Sequence, residues 1–160
     1  MSAIPSASLM ARPASAIDSE DIWRWRNDPD TRAMSVTTEM VPWERHQHWF
    51  ADSLSRNDRF MFVVELADGQ KVGMCRFDLS PDQLSAEVSI NINPACRGQG
   101  FAIPLLAECI RQFSLLRPSR LTAIIKQSNP ASERCFVANG FKLLRVSGEF
   151  GFYERTRIEC

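Results

Sequence analysis

Residues 87–102 read Glu87-Val88-Ser89-Ile90-Asn91-Ile92-Asn93-Pro94-Ala95-Cys96-Arg97-Gly98-Gln99-Gly100-Phe101-Ala102. An alternating run passes through a short loop with two glycines and straight into a segment of different periodicity. The alternation extends from Leu84 to Asn93 and predicts a strand. Leu84, Ala86, Val88, Ile90 and Ile92 project to one side, and Ser85, Glu87, Ser89, Asn91 and Asn93 to the other. Past Gly100, Leu105, Leu106, Cys109, Ile110 and Phe113 recur at helical spacing. A strand that feeds a helix through glycines suits an anionic phosphate. Gly98 and Gly100 let the main chain come close to a ligand, and the first helical turn leaves N–H groups unpaired at the positive end of its dipole. Taken alone, the loop also reads as an ordinary strand-to-helix turn, and the polar face as a solvated edge strand.

Working outward toward the N-terminus, Lys71 to Leu79 and Phe60 to Leu66 are β-rich runs around residues 67–70, which read as a hairpin. Before them, a helix starting at Pro42-Trp43-Glu44 places Trp43, His46, Phe50 and Leu54 on one face and ends by Arg56-Asn57-Asp58. An earlier helix runs from an Asp18 cap through Asn27, where Asp28-Pro29-Asp30 breaks it. Ser8 to Arg12 reads as a first strand, and residues 1–7, small and rich in Pro and Ser, as a disordered start. Toward the C-terminus, a strand is predicted at Leu121 to Lys126. A helix from Pro130 to Ala138 follows, with Asn129 as N-cap and Pro130 at the first position. Phe141 to Ser147 and Phe150 to Arg157 close the chain as a strand pair. The order predicts an α/β fold with a mixed sheet flanked by about four helices.

At 160 residues the chain corresponds to one domain, taken as residues 8–160. Nineteen basic and nineteen acidic side chains cancel, which argues against nucleic acid as a partner. The distribution is uneven: residues 1–96 hold 9 basic and 14 acidic groups, residues 97–160 hold 10 and 5, so a small anion favours the C-terminal half. Five widely spaced cysteines with no C-x-x-C pair suggest neither a disulfide framework nor a metal site. No apolar stretch approaches a membrane span, and Met1 to Met10 does not read as a secretory leader. A cytoplasmic setting is the expectation.

Two spaced motifs carry a family resemblance. Arg97-Gly98-Gln99-Gly100-Phe101-Ala102 resembles the R/Q-x-x-G-x-G/A loop of the GNAT superfamily of acyl-CoA-dependent N-acetyltransferases, and it lies between the strand and helix where that family places it. Downstream, Asn129-Pro130-Ala131-Ser132 followed by Gly140-Phe141 is similar to the family's N-x-x-S/A helix and turn, which borders the pantetheine arm. The resemblance spans about residues 8–157. It implies a mixed, mostly antiparallel sheet splayed between its fourth and fifth strands, acetyl-CoA as co-substrate and no metal. Ile92, Arg97 to Ala102, Asn129, Ser132, Cys135 and Phe136 would then bind the cofactor.

Glu87, ten residues before Arg97, matches the strand carboxylate that serves many of these enzymes as general base. Such a group has a task here, because an alkylammonium of pKa roughly 10 must lose a proton before its nitrogen attacks a thioester. The plainer reading of Glu87 is a solvated or salt-bridged carboxylate. Main-chain groups at Ile90 and Asn91 are the expected contact for negative charge on the thioester oxygen. Where the family often places a tyrosine to protonate the departing thiolate, this chain has Phe136, so the general acid stays open between water, Cys135 and Tyr153.

All four tryptophans and both histidines fall in residues 23–50, on the acceptor side of such a fold. The W-R-N-D-P and W-x-x-H-x-x-W-F patterns resemble the branch that includes acetyltransferases of nucleotide-linked amino sugars, of the pseudaminic acid type. Trp25, Arg26, Asn27, His46 and Trp49 are the acceptor-binding candidates, with rings stacking on a base or sugar and Arg26 pairing with a diphosphate. Core packing accounts for the same rings, Trp23 and Trp43 above all. Three functions follow: acetylation of an amino-sugar nucleotide, acetylation of a protein N-terminus or other small amine, or a non-catalytic acyl-CoA-binding module. A homodimer is compatible with each.

Overall fold

The structure, a computed structural model, describes residues 9–117 and 120–156. Its elements run β1 (Leu9–Pro13), α1 (Ser19–Asn27), α2 (Pro29–Met34), α3 (Trp43–Ser55), β2 (Arg59–Leu66), β3 (Lys71–Leu79), β4 (Ser85–Ile92), α4 (Ala102–Leu116), β5 (Arg120–Lys126), α5 (Pro130–Ala138), β6 (Lys142–Ser147) and β7 (Phe150–Arg155). Single 3-10 turns at Ala16–Asp18 and Pro94–Cys96 link β1 to α1 and β4 to α4. The expected start of the first strand at Ser8, the end of the last at Arg157 and the disordered residues 1–7 lie outside the described residues.

Seven strands form one sheet in the order β1-β2-β3-β4-β5-β7-β6. Every neighbouring pair is antiparallel except β4 and β5, which are parallel and pair only over Ser85–Glu87 with Arg120–Thr122. Beyond Glu87 the two strands diverge, and this is the splay the family resemblance implied. Parallel neighbours need a crossover, and α4 supplies it.

Helices cover both faces. Leu105, Leu106, Cys109, Ile110 and Phe113 of α4, with Cys135 and Phe136 of α5, pack on Val64, Val72, Cys75, Phe77, Ala86 and Val88. Phe77 and Phe113 stack at 4.2 Å between centroids. On the opposite face Ile22 and Trp25 of α1 and Phe50 of α3 cover Met61, Val63 and Met74. Leu84 departs from its expected place in the buried row of β4. It lies before the strand's first residue and is 71% exposed. Leu54, expected on the packed face of α3, is likewise exposed.

One helix was not foreseen. Asp28-Pro29 ends α1 but also starts α2: the Asp28 carboxylate accepts from the Asp30 and Thr31 N–H groups, both at 3.1 Å, and Pro29 occupies a first-turn position where no N–H is needed. The same residues serve as stop signal and start signal, so among the described residues five helices flank the sheet where about four were expected.

The layers are tied at one edge by a buried carboxylate. Asp18, fully enclosed, receives Arg12 Nη1 and Nη2 at 2.8 Å each, Lys71 Nζ at 2.8 Å and the Ser15 N–H at 2.9 Å. Burial alone would raise its pKa, but these donors outweigh it and hold the carboxyl well below the usual range. Arg12 also pairs with Glu65, and Lys71 with Asp21, so β1, α1, β2 and β3 meet at this point.

Candidate active site

The splay opens a cavity of about 760 Å³ between β4 and β5, lined also by the loop before α4 and by the 35–37 bend. Its long wall is the polar face of β4. Glu87, Ser89 and Asn91 line it, and Ile124, Ile125 and Lys126 line the side of β5. The side chain of Glu87 makes no hydrogen bond or ion pair among the described residues, which leaves its carboxylate free to face the cavity.

Strand geometry decides which main-chain groups are available. Asn93 N–H donates to Val72 O at 2.8 Å, so odd-numbered residues of β4 turn their N–H and C=O groups toward β3. Arg120 N–H reaches Leu84 O at 3.4 Å, so even-numbered residues turn theirs toward β5. Past Glu87, where β5 has departed, the amides of Ile90 and Ile92 therefore face the gap. Asn91 does not share this role. Its carbonyl points at Gly73 on β3, and only its side chain reaches the cavity wall. The main chain of Asn91 is thus turned away from the gap, and of the two residues expected to offer a main-chain contact only Ile90 faces it, with Ile92 beside it.

In the loop before α4, Gly98 and Gly100 adopt φ of +73° and +81°. This left-handed region costs a side-chain-bearing residue about 1–2 kcal/mol. A Cβ at either position would meet nothing within 4 Å, so the backbone conformation, not space, selects glycine there. The α4 N-terminus that follows has no side-chain cap. Gly98, Gly100, Phe101 and Ala102 line the cavity, whereas the Gln99 side chain turns away to donate to Ala95 O at 3.2 Å. Gln99 therefore offers only its main chain. Arg97 lines the cavity too, but its guanidinium is committed: Nη2 lies 2.7 Å from Asp28 and 2.5 Å from Thr31 Oγ1. It joins the glycine loop to the cap of α2.

The second motif is structural at its first residue. Asn129 Oδ1 accepts from Ser132 N at 3.2 Å and caps α5, which puts Ser132, Cys135 and Phe136 along the cavity wall. Phe136 also packs edge-on against Phe141. Burial pushes the Cys135 thiol up to about 12. A thiolate leaving group of pKa near 8.5 would take a proton from such a thiol only uphill. Tyr153 is buried, does not line the cavity, and is raised by burial and by Glu133. Water is left as the simplest proton donor.

Of the five acceptor-side residues expected from sequence, Arg26 alone lines the cavity. Trp25 is 4% exposed and belongs to the core beneath α1. His46, 3% exposed, sits between Trp43 and Phe50 in a ring stack, and its Nε2 meets Ser19 O at 2.8 Å. Burial lowers its pKa, against the opposing effect of the Ser19 contact. Asn27 clamps the chain that returns from α2, donating to Val41 O and accepting from Val41 N–H, both at 2.8 Å. Trp49 turns its ring to Arg59 and Arg76, whose guanidinium carbons each lie 5.4 Å from its centroid. Aromatic side chains serve a core and a binding site equally well, and here packing took Trp25 and His46. Sequence reasoning passed over Arg76. Alternation puts Arg76 on one face of β3 with Met74 and Asp78, but only the β3–β4 register, which sets it opposite Ser89, brings it to the polar face of β4.

Residues 8–142 match the acetyltransferase (GNAT) domain family. The chain is a GNAT acetyltransferase. A protein of Bacillus subtilis (strain 168), YwnH, provisionally named a phosphinothricin acetyltransferase, is 31% identical over 115 residues, which cover 69% of each chain. Among solved structures, spermidine N-acetyltransferase from Vibrio cholerae, in complex with CoA and spermine, superposes with a TM-score of 0.84 at 18% identity, covering 94% of this chain and 96% of that one. A structure named provisionally as a phosphinothricin N-acetyltransferase gives 0.79 at 28% identity, with 95% and 100% covered. GNAT enzymes take their acetyl group from acetyl-CoA, and the residues present fit that co-substrate: left-handed glycines, an uncapped helix start and an unpaired strand edge lie along one cavity. Among the described residues no group of three or more His, Cys, Asp and Glu side chains could hold a metal ion, and no helix is long and apolar enough to cross a membrane.

Proposed function

We propose that this GNAT acetyltransferase moves an acetyl group from acetyl-CoA to a primary amine by direct attack, with Glu87 as general base, and that the acceptor is the amino group of a nucleotide-linked amino sugar. The observation that carries the reading is the unpaired Glu87 carboxylate on the wall of a cavity that Gly98, Gly100, Phe101 and Ala102 also line.

Acetyl-CoA supplies an activated thioester. The chain supplies position and charge. Amides from Gly98 to Ala102 hold the diphosphate at the helix N-terminus. The open edge at Ile90 and Ile92 aligns the extended arm, and an amide there donates to the carbonyl oxygen as negative charge builds on it. Glu87 takes a proton from the ammonium, directly or through water. No side-chain nucleophile is needed, since juxtaposition of amine and thioester alone can reach effective molarities of order 10⁵ M. The amino-sugar acceptor rests on the likeness of the W-R-N-D-P and W-x-x-H-x-x-W-F patterns to that branch and on Arg26, the one residue of those patterns that reaches the cavity. Relatives named for phosphinothricin favour a second reading, in which the acceptor is another small amine and not a protein N-terminus.

The test is CoA release from acetyl-CoA across amino-sugar nucleotides, small amines and N-terminal peptides, repeated with Glu87→Gln. The reading predicts turnover with a small amine and a loss of about 10²-fold or more in the variant at neutral pH, with acetyl-CoA affinity retained. Wild-type turnover in Glu87→Gln removes that residue from the mechanism. Tight acetyl-CoA binding without turnover on any amine leaves only a binding module.

A further inference from the structure

The acceptor end of the cavity is unusual in charge. Arg26 and Arg76 both line it. Among the described residues Arg26 has no carboxylate partner: Nη2 donates to Thr37 O at 2.8 Å, and Nη1 is enclosed with no hydrogen-bond partner. A buried donor left unsatisfied costs about 1–3 kcal/mol, more when it is charged. Its surroundings do not compensate. Burial, then the charges of Arg76 and Arg32, lower the Arg26 pKa, so the nearest groups repel its positive charge.

Arg76 is only partly neutralised. Its Nε lies 3.0 Å from Asp78, but the same carboxylate takes Arg59 at 2.6 Å, so one negative charge serves two guanidiniums. The Trp49 ring lies beside both, with each guanidinium carbon 5.4 Å from its centroid. The β3–β4 register, Asp78 opposite Glu87 and Arg76 opposite Ser89, makes Arg76 the diagonal neighbour of the proposed base. Such neighbours lie roughly 7–8 Å apart.

We infer that Arg26 and Arg76 form an anion subsite, so that the amine acetylated here carries a carboxylate or phosphate group within a side chain's reach of its nitrogen, and polycationic amines are rejected. This rests on the function proposed above and narrows its substrate class. Arg26 Nη2 is already engaged by Thr37 O, so Nη1 is the donor left for an acceptor oxygen, and because it is enclosed a local rearrangement must accompany that contact. The anion then satisfies a donor that no described protein group reaches, and charge-assisted bidentate contacts to a guanidinium are among the stronger polar interactions available.

The test compares matched amines in the presence of saturating acetyl-CoA. One arm sets an amino acid against its carboxamide, a second sets a UDP-linked amino sugar against the free amino sugar, and a third uses spermidine. The inference predicts that at least one anionic member exceeds its neutral counterpart by about 10- to 100-fold in kcat/KM, with spermidine inactive. The arm that responds tells carboxylate from phosphate. In Arg26→Gln that ratio collapses toward unity through KM, while KM for acetyl-CoA is unchanged. Arg76→Gln acts in the same direction, and Arg26→Lys restores part of the ratio. Equal use of neutral and anionic amines by the wild type, or an unchanged ratio in Arg26→Gln, overturns the subsite while leaving the acetyltransferase reading intact. If no amine turns over, the acetyltransferase reading fails, and calorimetry of the same amines on the CoA complex decides the subsite separately. Binding of an anionic member that Arg26→Gln abolishes supports it, and its absence refutes it.

Discussion

Replacing Gly73 by alanine tests how the sheet positions the reacting groups without touching the cavity itself. Gly73 pairs with Ile92 across β3 and β4, and a Cβ built on it would stand 2.5 Å from Asn91 O and 3.0 Å from Leu105 Cδ1. Leu105 can rotate, but the carbonyl belongs to the strand. Restoring ordinary contact at 3.4 Å requires Asn91 O to recede by about 0.9 Å. β4 lies between β3 and the gap, so it bows toward the gap and carries the Ile90 and Ile92 amides with it. A misplacement of about 1 Å at a reacting centre can cost on the order of 10²-fold in rate. Overpacking of a tight core adds roughly 1–3 kcal/mol of destabilisation. Gly73→Ala should therefore lower kcat by about 30- to 100-fold, with a smaller change in acetyl-CoA affinity, because the glycine loop lies beyond the bowed segment. Steady-state CoA release at saturating substrate, together with urea unfolding to confirm that the protein is folded at the assay temperature, measures both. A folded variant with wild-type kcat would refute the placement of the oxyanion contact on β4.

Other outcomes follow from the same geometry. Asp18→Asn leaves Arg12 and Lys71 facing an uncharged partner and should cost about 3–5 kcal/mol in urea unfolding at neutral pH, as loss of one partner from a buried ion cluster does. His46 is held neutral by burial, with its folded pKa below the unfolded value near 6.5. Its stabilising effect is complete above that pH and is lost as pH falls below it, with a slope of up to about 1.4 kcal/mol per pH unit. Unfolding midpoints at pH 7.5, 6.5 and 5.5 should show the decline, and His46→Gln should flatten it. Gly100→Val forces a β-branched residue to φ of +81°. It should weaken acetyl-CoA binding by about tenfold or more in calorimetry while leaving far-ultraviolet circular dichroism unchanged.

Legibility in the sequence tracked how many roles a residue type can fill. The alternation of β4 set which side chains share a face, and the structure keeps Ala86 and Val88 buried and places Glu87, Ser89 and Asn91 on the cavity wall. The glycines at 98 and 100 were equally readable, since their left-handed backbone is what glycine permits best. Asp28-Pro29 was ambiguous because a turn and a helix N-terminus use the same side chains, and the cap declared itself only in the bonds from Asp30 and Thr31. Trp25 and His46 were misplaced because tertiary packing, not residue type, decides whether a ring faces core or ligand. Arg76 stayed hidden because its proximity to Glu87 depends on the β3–β4 register, a long-range pairing that no local pattern specifies.

The central claim is that main-chain amides from Gly98 to Ala102 receive the diphosphate of acetyl-CoA. At 18.2 kDa the protein suits amide-resolved nuclear magnetic resonance, which reads those groups one by one. On titration with CoA, and again with the adenosine 3′,5′-diphosphate fragment extended to its 5′-diphosphate, the amide protons of Gly98, Gln99, Gly100, Phe101 and Ala102 should move together and downfield as they donate to the anion. Saturable binding that leaves those five resonances in place while others shift would contradict the account.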